Sequence, residues 1–130
     1  LVRKSLLAVC LTAVLLVAAV AAFPGNRSED PLGVAVSPQT LILNWEQGGS
    51  VTVHTDIPYS IVDTQSLDLS GVPVWWTKAD DRGCLVAFFP EEEVKAIVAP
   101  PSAVLTLSGF TVEDEEFAGS DTVTVMYRNR

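Results

Sequence analysis

The sequence contains few of the residues that metal centres and nucleophilic active sites use most often. Its 130 residues include one histidine, His54, and two cysteines, Cys10 and Cys84. A structural zinc site of Cys and His ligands needs four of them, which excludes such a site here. Any triad or dyad that relies on histidine as the base would have to use His54.

Positive charge is also scarce. The chain has eight Lys and Arg residues and sixteen Asp and Glu residues, which gives a formal net charge of −8. A surface of this sign repels the phosphate backbone, so nucleic acid is not expected as a partner. At this length we expect a single domain with its own core.

The N-terminus has the three parts of a secretory signal peptide. Arg3 and Lys4 precede an uncharged apolar run over 6–20, and small residues fill Val20-Ala21-Ala22. We predict a signal peptide over 1–22, cleaved after Ala22, and a protein that is secreted or located at the cell surface. The alternative is an uncleaved membrane anchor, because the apolar run is near the lower length of a membrane span.

Cleavage would also remove Cys10. The mature chain would then have no second cysteine, so we predict that Cys84 is a buried free thiol, with an intermolecular disulfide as the alternative. A polar segment over 23–33 follows the signal and is predicted to be a flexible linker.

The remaining sequence has the pattern of an all-β domain over 34–130. Val51 and Val53 alternate with Thr52 and His54, which is the period of a strand with one buried face. Turn residues separate such runs at short intervals, as in a sandwich or barrel, and Ser70-Gly71 is predicted to form a tight hairpin turn. Eight strands are predicted, over 34–36, 41–45, 50–55, 66–69, 72–77, 84–89, 103–107 and 122–127.

One segment departs from this pattern. Val94, Ile97 and Val98 have helical spacing, and the acidic residues after Pro90 suit a helix N-terminus. We therefore predict one short helix over 90–98 that crosses between the sheets and ends before Pro100-Pro101.

Three stretches of the chain carry a family resemblance. They read QSLDLSGVPV over 65–74, LVAFF over 85–89 and AVLTLSGFTVEDEEFAGSDTVTV over 103–125. This pattern resembles an immunoglobulin-like β-sandwich module of bacterial and archaeal exported proteins, over about 51–125. The resemblance implies an immunoglobulin-like antiparallel β-sandwich with one short crossover helix, and it implies export. It implies no particular ligand, because such modules occur in varied surface proteins.

Two acidic turns are candidates for a calcium site. Asp80 and Asp81 precede Arg82-Gly83, and Glu113, Asp114 and Glu115 form the tip of a predicted hairpin. Calcium takes six to eight oxygen ligands from loops of this kind. Neither turn has the alternating spacing of a dedicated site, so solvated turns remain the alternative and no cofactor is otherwise expected.

Aromatic residues are candidates for a binding surface. Alternation in 72–77 and 84–89 puts one of Trp75 and Trp76 in the core and the other outside, and it leaves both faces of the second strand apolar. Trp75, Trp76 and Phe89 are the candidate binding residues. The predicted helix, a protein partner or a stacked sugar ring could cover this outer face.

These observations favour a non-enzymatic structural or adhesive module of a cell surface or extracellular assembly. A carbohydrate-binding module that uses an exposed tryptophan is the first alternative. A small secreted hydrolase built around His54, with Asp56 as its orienting group, is the second. A protein partner or self-assembly through a sheet edge is a further hypothesis, in which the segment before Val36 pairs with an edge strand of its own or a neighbouring subunit. The alternative is a solvated tail that leads into an ordinary first strand.

Overall fold

The computed structural model describes residues 32–129. The predicted signal peptide and most of the predicted linker lie outside this range. The described residues form nine strands, one short helix and a 3-10 turn, which confirms the all-β prediction. The elements are β1 (Val34–Ser37), β2 (Thr40–Ile42), β3 (Ser50–Pro58), η1 (Tyr59–Ile61), β4 (Val62–Leu69), β5 (Val72–Pro73), β6 (Trp76–Ala79), β7 (Cys84–Pro90), α1 (Glu91–Lys95), β8 (Ser102–Thr111) and β9 (Glu116–Met126).

The strands form two sheets. One has four strands in the order β1-β3-β7-β6, and the other has five in the order β2-β9-β8-β4-β5. The five-stranded sheet is curled into a half-barrel. Its β2 runs parallel to β9, whereas the other strand pairs described here are antiparallel. The expectation of a purely antiparallel arrangement therefore needs this one correction.

A single hydrophobic cluster joins the two sheets. The predicted alternation holds in β3, where Val51 and Val53 are fully buried and His54 is exposed. Apolar side chains from both sheets bury area in the same cluster, which is the main source of stability in a fold of this kind. Its fully buried members include Leu41, Val51, Val53, Leu69, Leu85, Ala87, Phe89, Val94 and Leu107.

Several predicted strand limits were wrong. β4 begins at Val62 and β9 at Glu116, both well before their predicted starts. Apart from Val62 and Phe117, polar or small residues occupy these extensions, so they contain no run of hydrophobic alternation. The predicted strand 72–77 is two strands, because the chain leaves the five-stranded sheet after Pro73 and joins the four-stranded one at Trp76.

The turn between β4 and β5 follows its sequence signal. Ser70 has φ 51° and Gly71 has φ 97°. Two consecutive left-handed residues define the tight hairpin turn predicted there. A Cβ atom at Gly71 would meet no neighbour, so only backbone conformation requires glycine at this position.

The predicted helix exists but is shorter than expected. α1 links β7 of one sheet to β8 of the other, as predicted, and ends at Lys95. Val94 packs in the core between the sheets, whereas Ile97 is 48% exposed. Val98 is partly buried against the core although it lies beyond the helix, so the apolar spacing continued past the helical residues.

The N-terminal end of the described chain is attached to the domain. Leu32 and Gly33, which were assigned to the flexible linker, donate backbone hydrogen bonds to Ala118 O at 3.1 Å and Asp56 Oδ1 at 3.0 Å. β1 then pairs with β3 of the same chain. Within residues 32–129, no helix is long and apolar enough to cross a membrane.

Candidate functional site

The two tryptophans proposed as binding residues are both exposed. Trp75 is 60% exposed and Trp76 is 47% exposed, so the prediction that one of them is a core residue was wrong. Alternation fails here because Val74 and Trp75 lie between β5 and β6, where the chain changes sheets. The backbone N–H of Trp75 donates to Phe88 O at 2.8 Å, which fixes this tryptophan against β7.

Trp76 lies on the outer face of the four-stranded sheet. Its ring stacks on Phe88, with centroids 3.9 Å apart and planes 2° apart. Phe89, which was predicted to belong to this surface, is fully buried in the core. The alternation of β7 explains the correction, because it directs Phe88 outward and Phe89 inward.

Trp75 borders two clefts. The larger, which we call the Trp45 cleft, has a volume of about 480 Å³ and lies between the segment after β2 and the start of α1. The smaller, which we call the Gln65 cleft, has a volume of about 300 Å³ and lies beside β4. Side chains that line the Trp45 cleft include Asn44, Trp45, Glu46, Trp75, Glu92 and Lys95. Those that line the Gln65 cleft include Thr64, Gln65, Pro73, Trp75, Trp76 and Thr77.

Trp45 was assigned to a strand, but β2 ends at Ile42 and Trp45 is 53% exposed in the following turn. The guanidinium of Arg128 lies 3.7 Å from the centre of its ring. Asn44 holds Arg128 in place by donating to its carbonyl at 3.0 Å and accepting from its N–H at 2.6 Å. One part of the Trp45 surface therefore already carries a planar cation.

A buried ion pair forms the wall of the Trp45 cleft. Lys95 Nζ donates to Glu91 Oε2 at 2.6 Å, and both side chains are at most 10% exposed. Lys95 Nζ also donates to the carbonyls of Ile42 and Trp45, each at 2.7 Å. The ammonium of Lys95 is thus fully engaged in holding the segment after β2.

Glu91 holds the rest of the same segment. Its carboxylate accepts from the backbone N–H of Gln47 at 2.8 Å and of Gly49 at 2.6 Å. Burial alone would raise the pKa of Glu91, but the hydrogen bonds from Lys95, Gln47 and Gly49, together with the charge of Lys95, lower it below its ordinary value. The ionised form is therefore the one that the fold stabilises.

His54 lies apart from these clefts. It is exposed on β3, opposite Ala35 and Val86 in the neighbouring strands. Asp56, the residue proposed to orient it, accepts instead from the backbone N–H of Gly33. Among residues 32–129 no hydrogen bond joins His54 to a serine, a threonine or Asp56.

The first acidic turn has a structural role. Asp80 Oδ1 accepts from the backbone N–H groups of Arg82 and Cys84, at 2.8 and 2.9 Å. Its other oxygen pairs with the Arg82 side chain at 3.1 Å. Burial would raise the pKa of Asp80, but these hydrogen bonds and the Arg82 charge lower it. Asp80 thus closes the turn between β6 and β7.

The second acidic turn, 113–115, joins β8 to β9 and is exposed. Asp114 has φ 67°, and the N–H groups of Glu113 and Glu115 both donate to Thr111 Oγ1. Asp81 is exposed in the first turn. In the part of the chain that the structure describes, no three His, Cys, Asp or Glu side chains are grouped as metal ligands. The calcium prediction gains no geometric support from these turns.

Cys84 is fully buried, as predicted. Its sulfur is disulfide-bonded, so the prediction of a free thiol was wrong for the chain as described. The other cysteine of the sequence, Cys10, lies outside the described residues. The expectation had depended on removal of Cys10 by cleavage.

The Trp45 cleft could not be recognised from the sequence. The spacing of Glu91 and Lys95 is the i, i+4 spacing of a helical ion pair and was a usable signal. The partners of these residues near Trp45 are more than forty positions away in sequence, and nothing in the local pattern indicated that contact.

No protein-family model, curated protein or solved structure matches the chain.

Proposed function

We propose that the protein is an exported, non-enzymatic module with an immunoglobulin-like β-sandwich, and that it serves as a structural or adhesive part of a cell surface or extracellular assembly. The signal-like N-terminus supports export, and the strand order supports the fold. The exposed tryptophan surface supports a role in contact with a partner.

The strand order supports the fold assignment in detail. In immunoglobulin domains one sheet has the order A-B-E-D and the other contains G-F-C. With β1 as A, β3 as B, β7 as E and β6 as D, the four-stranded sheet has that order. With β9 as G, β8 as F and β4 as C, the five-stranded sheet contains the second. β5 is then a short additional strand beside C, and β2 is a parallel extension beside G.

The observation that carries the adhesive function is the exposure of Trp75 between two clefts. A tryptophan that is 60% exposed leaves a large apolar ring in water, and such residues are enriched at sites of contact. Trp45 and Trp76 add two further exposed indoles beside the same clefts. Three exposed tryptophans in one region form a contact surface rather than scattered surface residues.

An adhesion assay tests this function. Cells of the source organism that lack the protein are complemented with the wild type, with Trp75→Ser or with Val112→Ser, and surface display is checked by labelling intact cells. Val112 is a suitable control because it is 63% exposed but lies in the turn between β8 and β9. We expect equal display for all three and lost cell–cell or cell–surface adhesion for Trp75→Ser only. Absence of the protein from the outside of the cell would contradict the proposal.

Carbohydrate binding is a second candidate, and the Gln65 cleft favours it. Two indoles, Trp75 and Trp76, lie beside the amide of Gln65 and the hydroxyls of Thr64 and Thr77. Indole rings stack on the apolar faces of sugars, and amide and hydroxyl groups hydrogen-bond to sugar hydroxyls. Retardation of the protein in gels that contain soluble polysaccharides measures such binding. We expect Trp76→Ser to abolish the retardation and Glu92→Gln to preserve it.

A further inference from the structure

The Trp45 cleft has a composition that differs from that of the Gln65 cleft. We propose that it binds the arginine side chain of a partner protein segment. This inference rests on the proposed adhesive function and names the chemistry of the partner.

Negative charge predominates in the Trp45 cleft. Glu46, Glu91, Glu92 and Lys95 are the ionisable groups that line this cleft. Glu91 and Lys95 neutralise each other in the wall. Glu46 and Glu92 are exposed, and neither side chain makes a hydrogen bond or ion pair with another residue in the described range. The cleft therefore presents two uncommitted carboxylates, which favour a cationic occupant.

Two indole rings also line the Trp45 cleft. Trp45 and Trp75 border the same cavity of about 480 Å³. A cation over an indole face is attracted by the ring quadrupole, and tryptophan is the strongest of the aromatic side chains in this respect. Two indoles with two carboxylates thus combine the two kinds of group that attract an organic cation.

Among organic cations, the arginine side chain fits this lining best. The structure already places a guanidinium, that of Arg128, 3.7 Å from the centre of the Trp45 ring. A planar guanidinium can stack on an indole and donate to a carboxylate at the same time, whereas a lysine ammonium is a strongly hydrated point charge that cannot stack. The acidic chain, with a net charge of −8, would also attract a basic segment from a distance.

The experiment uses the three tryptophans as separate reporters. The full chain is labelled with ¹⁵N and its three indole N–H signals are assigned with single Trp→Phe variants. Acetyl-arginine-amide is then added, with acetyl-citrulline-amide as the neutral analogue of the same shape. We expect saturable shifts of the Trp45 and Trp75 signals with the arginine compound, little movement of Trp76, and at least about fivefold weaker binding of the citrulline compound.

Two charge variants complete the test. Glu46→Gln and Glu92→Gln should each weaken arginine binding by about two- to fivefold, which is the range of an exposed ion pair. Glu93→Gln, on the same helix but not in the cleft, should leave it unchanged. Equal binding of citrulline, shifts confined to Trp76, or tighter binding of tetramethylammonium than of arginine would each overturn the inference. These measurements use purified protein, so they are independent of whether the adhesion assay succeeds.

Discussion

At the residue scale, Glu91 connects the helix to a segment that is distant in sequence. Its carboxylate receives two backbone N–H groups and the ammonium of Lys95. A carboxylate that is 6% exposed would cost stability if any of these partners were lost, because its charge is largely removed from water. Together with Lys95, this side chain therefore holds the segment between β2 and β3 in place.

Replacing this residue tests that dependence. Glu91→Gln leaves the Lys95 ammonium buried without its counter-charge, and we expect the free energy of unfolding to fall by about 3 kcal/mol. Urea unfolding followed by tryptophan fluorescence measures it. Glu93→Gln, an exposed change in the same helical turn, should alter it by less than about 0.5 kcal/mol.

The effect of Glu91→Gln on the free energy of unfolding should depend on pH. The pKa of Glu91 is lowered by folding, so its contribution is fully present above the unfolded-state value near 4.5 and is lost as the pH falls through the folded-state pKa. The difference in unfolding free energy between wild type and Glu91→Gln should therefore be constant near neutral pH and shrink below about pH 4.5. A difference that grows on acidification would contradict the role assigned to this carboxylate.

Single residues were predictable where a regular strand continued on both sides. Val51, Val53 and His54 lie on the faces that alternation indicated. Trp75 and Phe89 were misplaced for different reasons: Trp75 sits where the strand is interrupted, and both faces of β7 are apolar, so the pattern could not distinguish Phe88 from Phe89.

At the element scale, hydrogen bonds to a residue of β9 hold the connection between β1 and β2 in place. Asp121 Oδ2 accepts from the backbone N–H of Val36 at 2.8 Å and from Gln39 Nε2 at 2.7 Å. The hydrogen bond from Val36 lowers the pKa of Asp121 and outweighs the effect of its partial burial. One carboxylate thus holds the chain at the point where it leaves one sheet for the other.

We expect Asp121→Asn to destabilise β1 and β2. Loss of the charged acceptor should lower the free energy of unfolding by about 1–2 kcal/mol. Hydrogen exchange measured by mass spectrometry should become faster over 34–42 and remain unchanged in the hairpin of β4 and β5. Equally faster hydrogen exchange in both regions would indicate that the whole domain is destabilised, and it would contradict a local role for Asp121.

Elements were predictable where turns carry a chemical signal. Ser70-Gly71 gave the hairpin of β4 and β5, and Pro90 with its acidic neighbours gave the start of the helix. Strand ends made of polar residues were not predictable, since their pairing depends on the neighbouring strand. The position of β2 beside β9 likewise depends on a contact between residues more than eighty positions apart.

At the scale of the whole molecule, β1 occupies one edge of the four-stranded sheet. Its four residues pair with β3 of the same chain, as either an ordinary first strand or an N-terminal segment that adds to its own sheet would do. Without β1, the backbone groups of β3 would form an open edge that can accept a strand from another molecule.

Two truncations test this. A chain that begins at Leu32 retains β1, whereas one that begins at Pro38 lacks it. We expect the first to be a monomer in sedimentation experiments and the second to form dimers or larger species, because its β3 edge is exposed. A truncation at Pro38 that stays monomeric at high micromolar concentration would show that this edge does not recruit a strand.

The parallel pair of β2 and β9 also determines how the domain would respond to tension. Suppose that one force pulls on the N-terminal end of β2 and another on the C-terminal end of β9. Because the two strands are parallel neighbours, these forces point in opposite directions along the strands. Their hydrogen bonds, including Leu43 N–H to Met126 O and Thr124 N–H to Gln39 O, would then be loaded in shear and would have to break together rather than one at a time. The two hydrogen bonds between Asn44 and Arg128 extend the same zone. A module of this design would resist extension along its chain far better than across its sheets.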